Sequence, residues 1–259
     1  MTDAGSGDNT IYAGDGNNTI YSAEGNDVIY AGSGDDTVYA GSGDDIIDVG
    51  SGSATVDGGT GSDRLTITLS LNSTYTTRTK LYDASGTAYS SITNSNNEFF
   101  CTSNLADIRS AFTSGVSRVE QYGSGGDFDI NFSGIEQLEY VGANTGSDLL
   151  LAIGHNGRMY GGDGWDALYA DWSYRTEGVT WDNSDLSQVY TVGDLKISGI
   201  ERMLVVGTQG DDTFINRVNP ASSGYGDQID SGAGNDTIIT GTGNDIIKTG
   251  KPPALPVDS

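Results

Sequence analysis

The chain has 259 residues, only 35% of them hydrophobic, and 39 glycines against 4 prolines without a collagen-like triplet period, a composition that favours a stacked architecture with recurring tight turns over one large closed core. Its 36 acidic against 12 basic residues give a formal charge of -24, which repels nucleic acid and anionic membrane and makes cations the expected partner. Cys101 is the single cysteine, so no intramolecular disulfide forms, and no stretch is long and apolar enough to span a bilayer.

After Met1 the chain runs directly into polar repeats, without the basic and apolar regions of a cleaved signal peptide. Written in nines, residues 4–66 read AGSGDNTIY, AGDGNNTIY, SAEGNDVIY, AGSGDDTVY, AGSGDDIID, VGSGSATVD and GGTGSDRLT, contiguous units with no insertion. Each resembles the pattern G-G-x-G-x-D-x-U-x of the repeats-in-toxin (RTX) haemolysin-type calcium-binding family, U being a large apolar residue. The resemblance implies an all-β fold, a right-handed parallel β-roll (β-solenoid), here with β-rich insertions, and Ca²⁺ as the bound ion.

Local chemistry points the same way. Glycines at the second and fourth positions permit backbone angles closed to other residues, so the first six residues turn and the last three form a strand. Alternation along an x-U-x strand sends Ile11, Ile20, Ile29, Val38, Ile47, Val56 and Leu65 inward, about one apolar side chain per unit. So thin a core calls for other support, which the sixth position supplies through Asp27, Asp36, Asp45 and Asp63, with Asn9, Asn18 and Ala54 in the remaining units.

Because successive strands lead to opposite edges, turns stack with every second unit, and sixth-position residues eighteen apart become neighbours. Asp27 with Asp45 and Asp45 with Asp63 each offer two carboxylates. Asn9 with Asp27 and Asn18 with Asp36 offer a carboxylate and an amide oxygen, and Asp36 with Ala54 is expected to be defective. Oxygen-only cages with turn carbonyls suit a hard, flexible cation such as Ca²⁺ better than zinc. In the resembled family, carbonyls of turn positions one to four join the aspartates, which implicates Gly25, Gly32, Gly34, Gly41 and Gly43.

Past residue 66 the register dissolves, and 67–140 contain no nonapeptide. SGIEQLEYVG (133–142) recurs as SGIERMLVVG (198–207), and GGTGSDRLTITLS (58–70) resembles GGDGWDALYADWS (161–173). This predicts a duplicated module over 67–222 in which a turn unit leads into a β-rich excursion and returns through an S-G-I-E strand. The first excursion is read as either further solenoid coils, the favoured alternative, or a small β-domain packed on the side. Isolated turn units add Asp148, Asp166 and Asp212 as candidate metal ligands. The roll resumes over 223–250 with Asp227, Asp236 and Asp245 in sixth-position roles, Asp227 and Asp245 sharing an edge, and 251–259 form a proline-containing tail.

Catalytic constellations do not emerge. His155 is the sole histidine, H-E-x-x-H and G-x-S-x-G are absent, and GNDIIKTGK (243–251) has the wrong spacing for a phosphate loop. The chain therefore reads as non-enzymatic. Tyr12, Tyr21, Tyr30 and Tyr39 at ninth positions form outward aromatic pairs, read either as ligand-binding residues for a glycan or as a shield over the sheet. Three functions remain open: a calcium-dependent structural or adhesive module of a secreted or cell-surface bacterial protein, a calcium-folded export module of a larger secreted enzyme, or a glycan-binding module. The partners expected are calcium ions and, beyond them, a cell-surface glycan or neighbouring domains of a larger protein.

Overall fold

The computed structural model describes residues 1–68, 78–83, 88–95, 98–100, 116–122, 128–141, 149–152, 156–162, 165–217 and 226–250. Cys101, Asp148 and His155 lie outside them. Among the described residues the regular elements are all strands, and most pair in parallel.

The repeats produce eight strands: β1 (Thr2–Asp3), β2 (Thr10–Tyr12), β3 (Thr19–Tyr21), β4 (Val28–Tyr30), β5 (Asp36–Ser42), β6 (Ile46–Asp48), β7 (Ala54–Thr60) and β8 (Arg64–Thr68). Odd-numbered strands line up in one sheet and even-numbered strands in the other. Partners are eighteen residues apart, as in Ile11↔Ile29, Ile20↔Val38, Ile29↔Ile47 and Ile47↔Leu65. The chain thus crosses from sheet to sheet once per nonapeptide.

Ile11, Ile20, Ile29, Val38, Ile47, Val56 and Leu65 are all buried between the two sheets. The core is wider than one apolar residue per unit, because alternation continues past the strand: with position eight in and nine out, position one turns inward again. Ala31, Ala40 and Val49 are buried there, and Ser22 at the same position donates its hydroxyl to the Ala40 carbonyl at 2.7 Å. These residues are mostly small, so the added burial is modest.

Beyond the repeats, the first excursion departs from the favoured expectation of further coils. Arg78–Asp83, Ala88–Ser95, Glu98–Phe100 and Val116–Tyr122 form an antiparallel meander, and Phe128–Ser133 joins it antiparallel to Val116–Tyr122 and parallel to β7. Without the paired glycines of the nonapeptide the chain cannot make the turn a coil requires, so it folds back in hairpins and extends the odd-strand sheet.

The even-strand sheet continues through Gln137–Val141, Asn156–Tyr160 and Asp194–Ser198, all parallel. Two further sheets complete the second half. One runs Leu149–Leu151, Ala167–Asp171, Arg202–Val206, Gln228–Asp230 and Ile246–Lys248, and the other Thr180–Asp182, Thr213–Ile215 and Thr237–Ile239. Its core is heavier: Trp172 meets Trp181 edge-on at 6.3 Å and lies over Phe214 at 6.0 Å, and Tyr169 is also buried.

Close stacking makes glycine obligatory at Gly41, whose φ is +113° and where a Cβ would sit 1.8 Å from the Ala23 carbonyl oxygen one stacked turn away. Gly5, with φ +77°, has nothing within 4 Å of such a Cβ. Alanine at either site carries the left-handed backbone cost of about 1–2 kcal/mol, but only Gly41→Ala also forces two backbones apart. Gly41→Ala should therefore lower the thermal midpoint by at least about 2–4 °C more than Gly5→Ala, the shift produced by about 1 kcal/mol in a chain of this size. Equal midpoints would show that the turns are not stacked this tightly.

Candidate metal centres

Each turn brings its sixth residue against that of the turn eighteen residues on. Asn9 N–H donates to Asp27 Oδ1 at 2.7 Å, Asp27 N–H to Asp45 Oδ1 at 2.7 Å, and Asp45 N–H to Asp63 Oδ1 at 2.9 Å. On the other edge Asn18 N–H donates to Asp36 Oδ1 at 2.8 Å. There the ladder breaks where expected: Asp36 pairs with Ala54, which has no carboxylate, and Asp36 N–H turns to the Ser53 carbonyl at 2.9 Å.

In this ladder one carboxylate oxygen is used and the other is not. Oδ2 of Asp27, Asp36, Asp45 and Asp63 is buried and has no hydrogen-bond partner. Leaving a buried polar group unsatisfied costs about 1–3 kcal/mol, and more when it is charged. Gly25, Gly41 and Gly43 line the stack of turns that carries Asp27, Asp45 and Asp63, and Gly32 and Gly34 the opposite stack with Asp36, all at positive φ. Orphaned carboxylate oxygens beside closely stacked, carbonyl-bearing turns form an all-oxygen donor set that fits Ca²⁺.

The first two units differ. The Asn9 side-chain amide donates to the carbonyls of Gly5, at 3.1 Å, and Gly7, and that of Asn18 donates to Gly14 at 3.0 Å and Gly16 at 2.7 Å. At the N-terminal end of the roll a neutral NH₂ thus meets the carbonyls of positions two and four, a service that an ionised aspartate, lacking a donor, cannot perform.

A second ladder, not anticipated from the repeat pattern, runs along the exposed fifth positions. Asp8 Oδ1 accepts from Asn26 N–H at 2.8 Å, Asn26 Oδ1 from Asp44 N–H at 2.8 Å, and Asp44 Oδ1 from Ser62 N–H at 2.9 Å. These side chains reach forward to the next stacked turn, whereas the sixth-position carboxylates reach back.

In the second half the candidates divide. Asp212 N–H donates to Asp236 Oδ1 at 3.0 Å and Asp227 N–H to Asp245 Oδ1 at 2.8 Å, so both pairs come together. Both oxygens of Asp212 already have protein donors, from Val179 N–H and the Thr208 amide and hydroxyl. Asp227 likewise accepts from Met203 N–H and, at both oxygens, from the Asn216 amide. These two carboxylates lack the orphaned oxygen that marks Asp27, Asp45 and Asp63. Asp166 is fully buried and pairs with Glu201, whose Oε2 accepts Asp166 N–H at 2.6 Å.

The aromatic pairs form as expected, Tyr12 over Tyr30 at 4.9 Å and Tyr21 over Tyr39 at 5.0 Å, nearly parallel and exposed at the edges. Within each pair one face of each ring is covered by the other ring, and Tyr12 remains the most exposed of the four.

Burial raises the pKa of two carboxyls in the ladder. Desolvation pushes the Asp63 carboxyl up to about 6, with the neighbouring Asp45 and Glu136 charges adding to it, and raises Asp45 for the same first reason. Burial takes Glu201 to about 7 and, with a smaller push from the Asp245 charge, Asp227 to about 6. A carboxyl whose folded pKa is raised stabilises the fold below its unfolded value and loses that contribution as pH rises through the folded value. In EDTA, therefore, the second half, which holds Glu201 and Asp227, should gain stability as pH falls from 7.5 toward about 5, read as a rising thermal midpoint. A midpoint that falls over this range would show that these carboxyls are not buried together.

Residues 3–29, 22–56 and 222–251 match the family model of the RTX calcium-binding nonapeptide repeat, in four copies. No curated protein matches the chain. RTX nonapeptide repeats bind Ca²⁺, and residues 3–56 and 222–251 carry such repeats within an all-β, largely parallel stack.

Proposed function

We propose that the chain is a calcium-dependent structural or adhesive module of an extracellular protein, in which Ca²⁺ enters between turns eighteen residues apart and completes the fold. The observation that carries this reading is the buried, partnerless Oδ2 of Asp27, Asp45 and Asp63 on one edge, in a chain of formal charge -24. Asp27, Asp45 and Asp63 would hold the ions together with turn carbonyls of the units that include Gly25, Gly41 and Gly43, and Asp36 with Gly32 and Gly34 would serve the other edge more weakly, opposite Ala54. A bound ion supplies the positive charge that the carboxylate stack otherwise lacks. Extracellular calcium modules bind at about 10⁻⁴ to 10⁻³ M, above resting cytosolic calcium, so a chain of this kind folds after export rather than before it.

Asp45 sits in two such cages, whereas Asp8 lies in the exposed fifth-position ladder and faces solvent. By calorimetric titration, Asp45→Ala should lower calcium stoichiometry by about two ions, as a ligand shared by two neighbouring sites requires. Asp8→Ala should leave it unchanged. Equal losses from the two variants would show that the sixth position has no special claim on the metal.

A further inference from the structure

The Asp27, Asp45, Asp63 ladder does not stop at the last nonapeptide. Ser133 pairs with Asp57 and Gln137 with Arg64, so residues 134–136 cover in a three-residue turn the path that 58–63 cover in six. Glu136 lies on that short turn, and its Oε2 accepts Asp63 N–H at 2.8 Å. This is the role that Asp63 Oδ1 plays toward Asp45 N–H at 2.9 Å. The extra methylene of glutamate supplies the reach that the shortened backbone gives up.

The arrangement occurs twice. Tyr160 pairs with Ser198 and Ala167 with Arg202, leaving 199–201 opposite 161–166, and Glu201 Oε2 accepts Asp166 N–H at 2.6 Å. The backbones agree in detail. The Asp63 carbonyl accepts from the amides of Glu136 and Gln137 at 3.1 and 3.0 Å, and the Asp166 carbonyl from those of Glu201 and Arg202 at 2.9 and 3.0 Å. Gly134 and Gly199 have φ of +58° and +61°.

In both places oxygens converge on one spot. A Cβ on Gly58 would lie 2.0 Å from the Gly134 carbonyl oxygen and 2.9 Å from Asp63 Oδ2. A Cβ on Gly161 would lie 1.9 Å from the Gly199 carbonyl oxygen and 2.6 Å from Asp166 Oδ2. Asp63 is fully buried, and its Oδ2, aimed into this space, has no hydrogen-bond partner. A glutamate that merely capped an amide would not require a second buried carboxylate oxygen facing a carbonyl across the same gap.

We propose that Glu136 and Glu201 are metal ligands, each closing on its three-residue turn a divalent-cation site whose other carboxylate is Asp63 or Asp166. The S-G-I-E segments are then calcium turns in which glutamate takes the sixth-position part, and the metal stack extends from the repeats into the second half. This rests on the reading of the repeats as calcium-binding, and the two can fail separately.

The test uses the full chain. Crystals grown with calcium should show anomalous peaks within coordination reach, about 2.3–2.6 Å, of Asp63 with Glu136 and of Asp166 with Glu201. In solution, Glu136→Gln and Glu201→Gln keep an acceptor for the facing amide, and each should remove about one ion from the calorimetric stoichiometry, while the sites between Asp27 and Asp45 still fill. Crystals with ions between Asp27 and Asp45 but none beside either glutamate would overturn the proposal, as would glutamine variants that bind the full complement with unchanged affinity. Should a glutamine variant not fold, the wild-type crystal decides alone. A crystal with no ion anywhere would overturn the underlying calcium reading and this proposal with it.

Discussion

The architecture of the N-terminal repeats turns on a buried carboxylate that recurs every eighteen residues along one edge, at Asp27, Asp45 and Asp63. Three-residue strands leave each coil with one large inward side chain and one small one, which is little burial to set against the conformational entropy of nine ordered residues. The sixth-position carboxylate does two things at once. Its Oδ1 satisfies the amide of the stacked turn, which fixes register, and its Oδ2 is left without a partner inside the stack. Without a cation, that arrangement concentrates like charge in a poorly solvated place. With one, the same oxygens would bridge adjacent coils, and binding free energy would become folding free energy.

The second half meets the same entropy cost by different means. Arg202–Val206 is buried at every position, and Trp172, Trp181, Tyr169 and Phe214 fill the space between its sheets. Large aromatic burial contributes without any ion, and it is here that aspartates such as Asp212 and Asp227 find protein donors for both oxygens. The molecule thus grades from coils with little apolar burial and orphaned carboxylate oxygens to a hydrophobic stack, with Asp63, Glu136, Asp166 and Glu201 at the transition.

The repeat period made β2–β8 legible, together with their pairing at eighteen residues and the failure of the rung at Ala54, because contiguous nonapeptides leave one way to stack; β1 precedes the first unit and was not foreseen. It could not reveal the pairing of Asp63 with Glu136, which spans 73 residues and an excursion of unrelated pattern, although the repetition of S-G-I-E after each G-G-x-G-x-D turn was a signal for it. The fifth-position ladder from Asp8 was hidden because an exposed Asx residue in a turn is common and carries no mark of its partner. The antiparallel meander of Arg78–Asp83, Ala88–Ser95, Glu98–Phe100 and Val116–Tyr122 was hidden as well, since polar, β-branched strands read alike in coils and in hairpins. First-position burial at Ala31 and Ala40 follows from alternation continued one residue past the strand, a step that the three-residue strand boundary conceals.

The most direct measurement is hydrogen–deuterium exchange on the full chain in EDTA, in millimolar calcium and in magnesium, resolved by peptide. Metal-driven folding predicts that peptides from 4–66 exchange freely in EDTA, become protected in calcium and stay largely open in magnesium, whose small rigid octahedron fits these turns poorly. Peptides covering Trp172 to Phe214 should be protected in all three. Equal protection of 4–66 with and without calcium would show that the ions decorate a roll that folds without them, and would contradict the account.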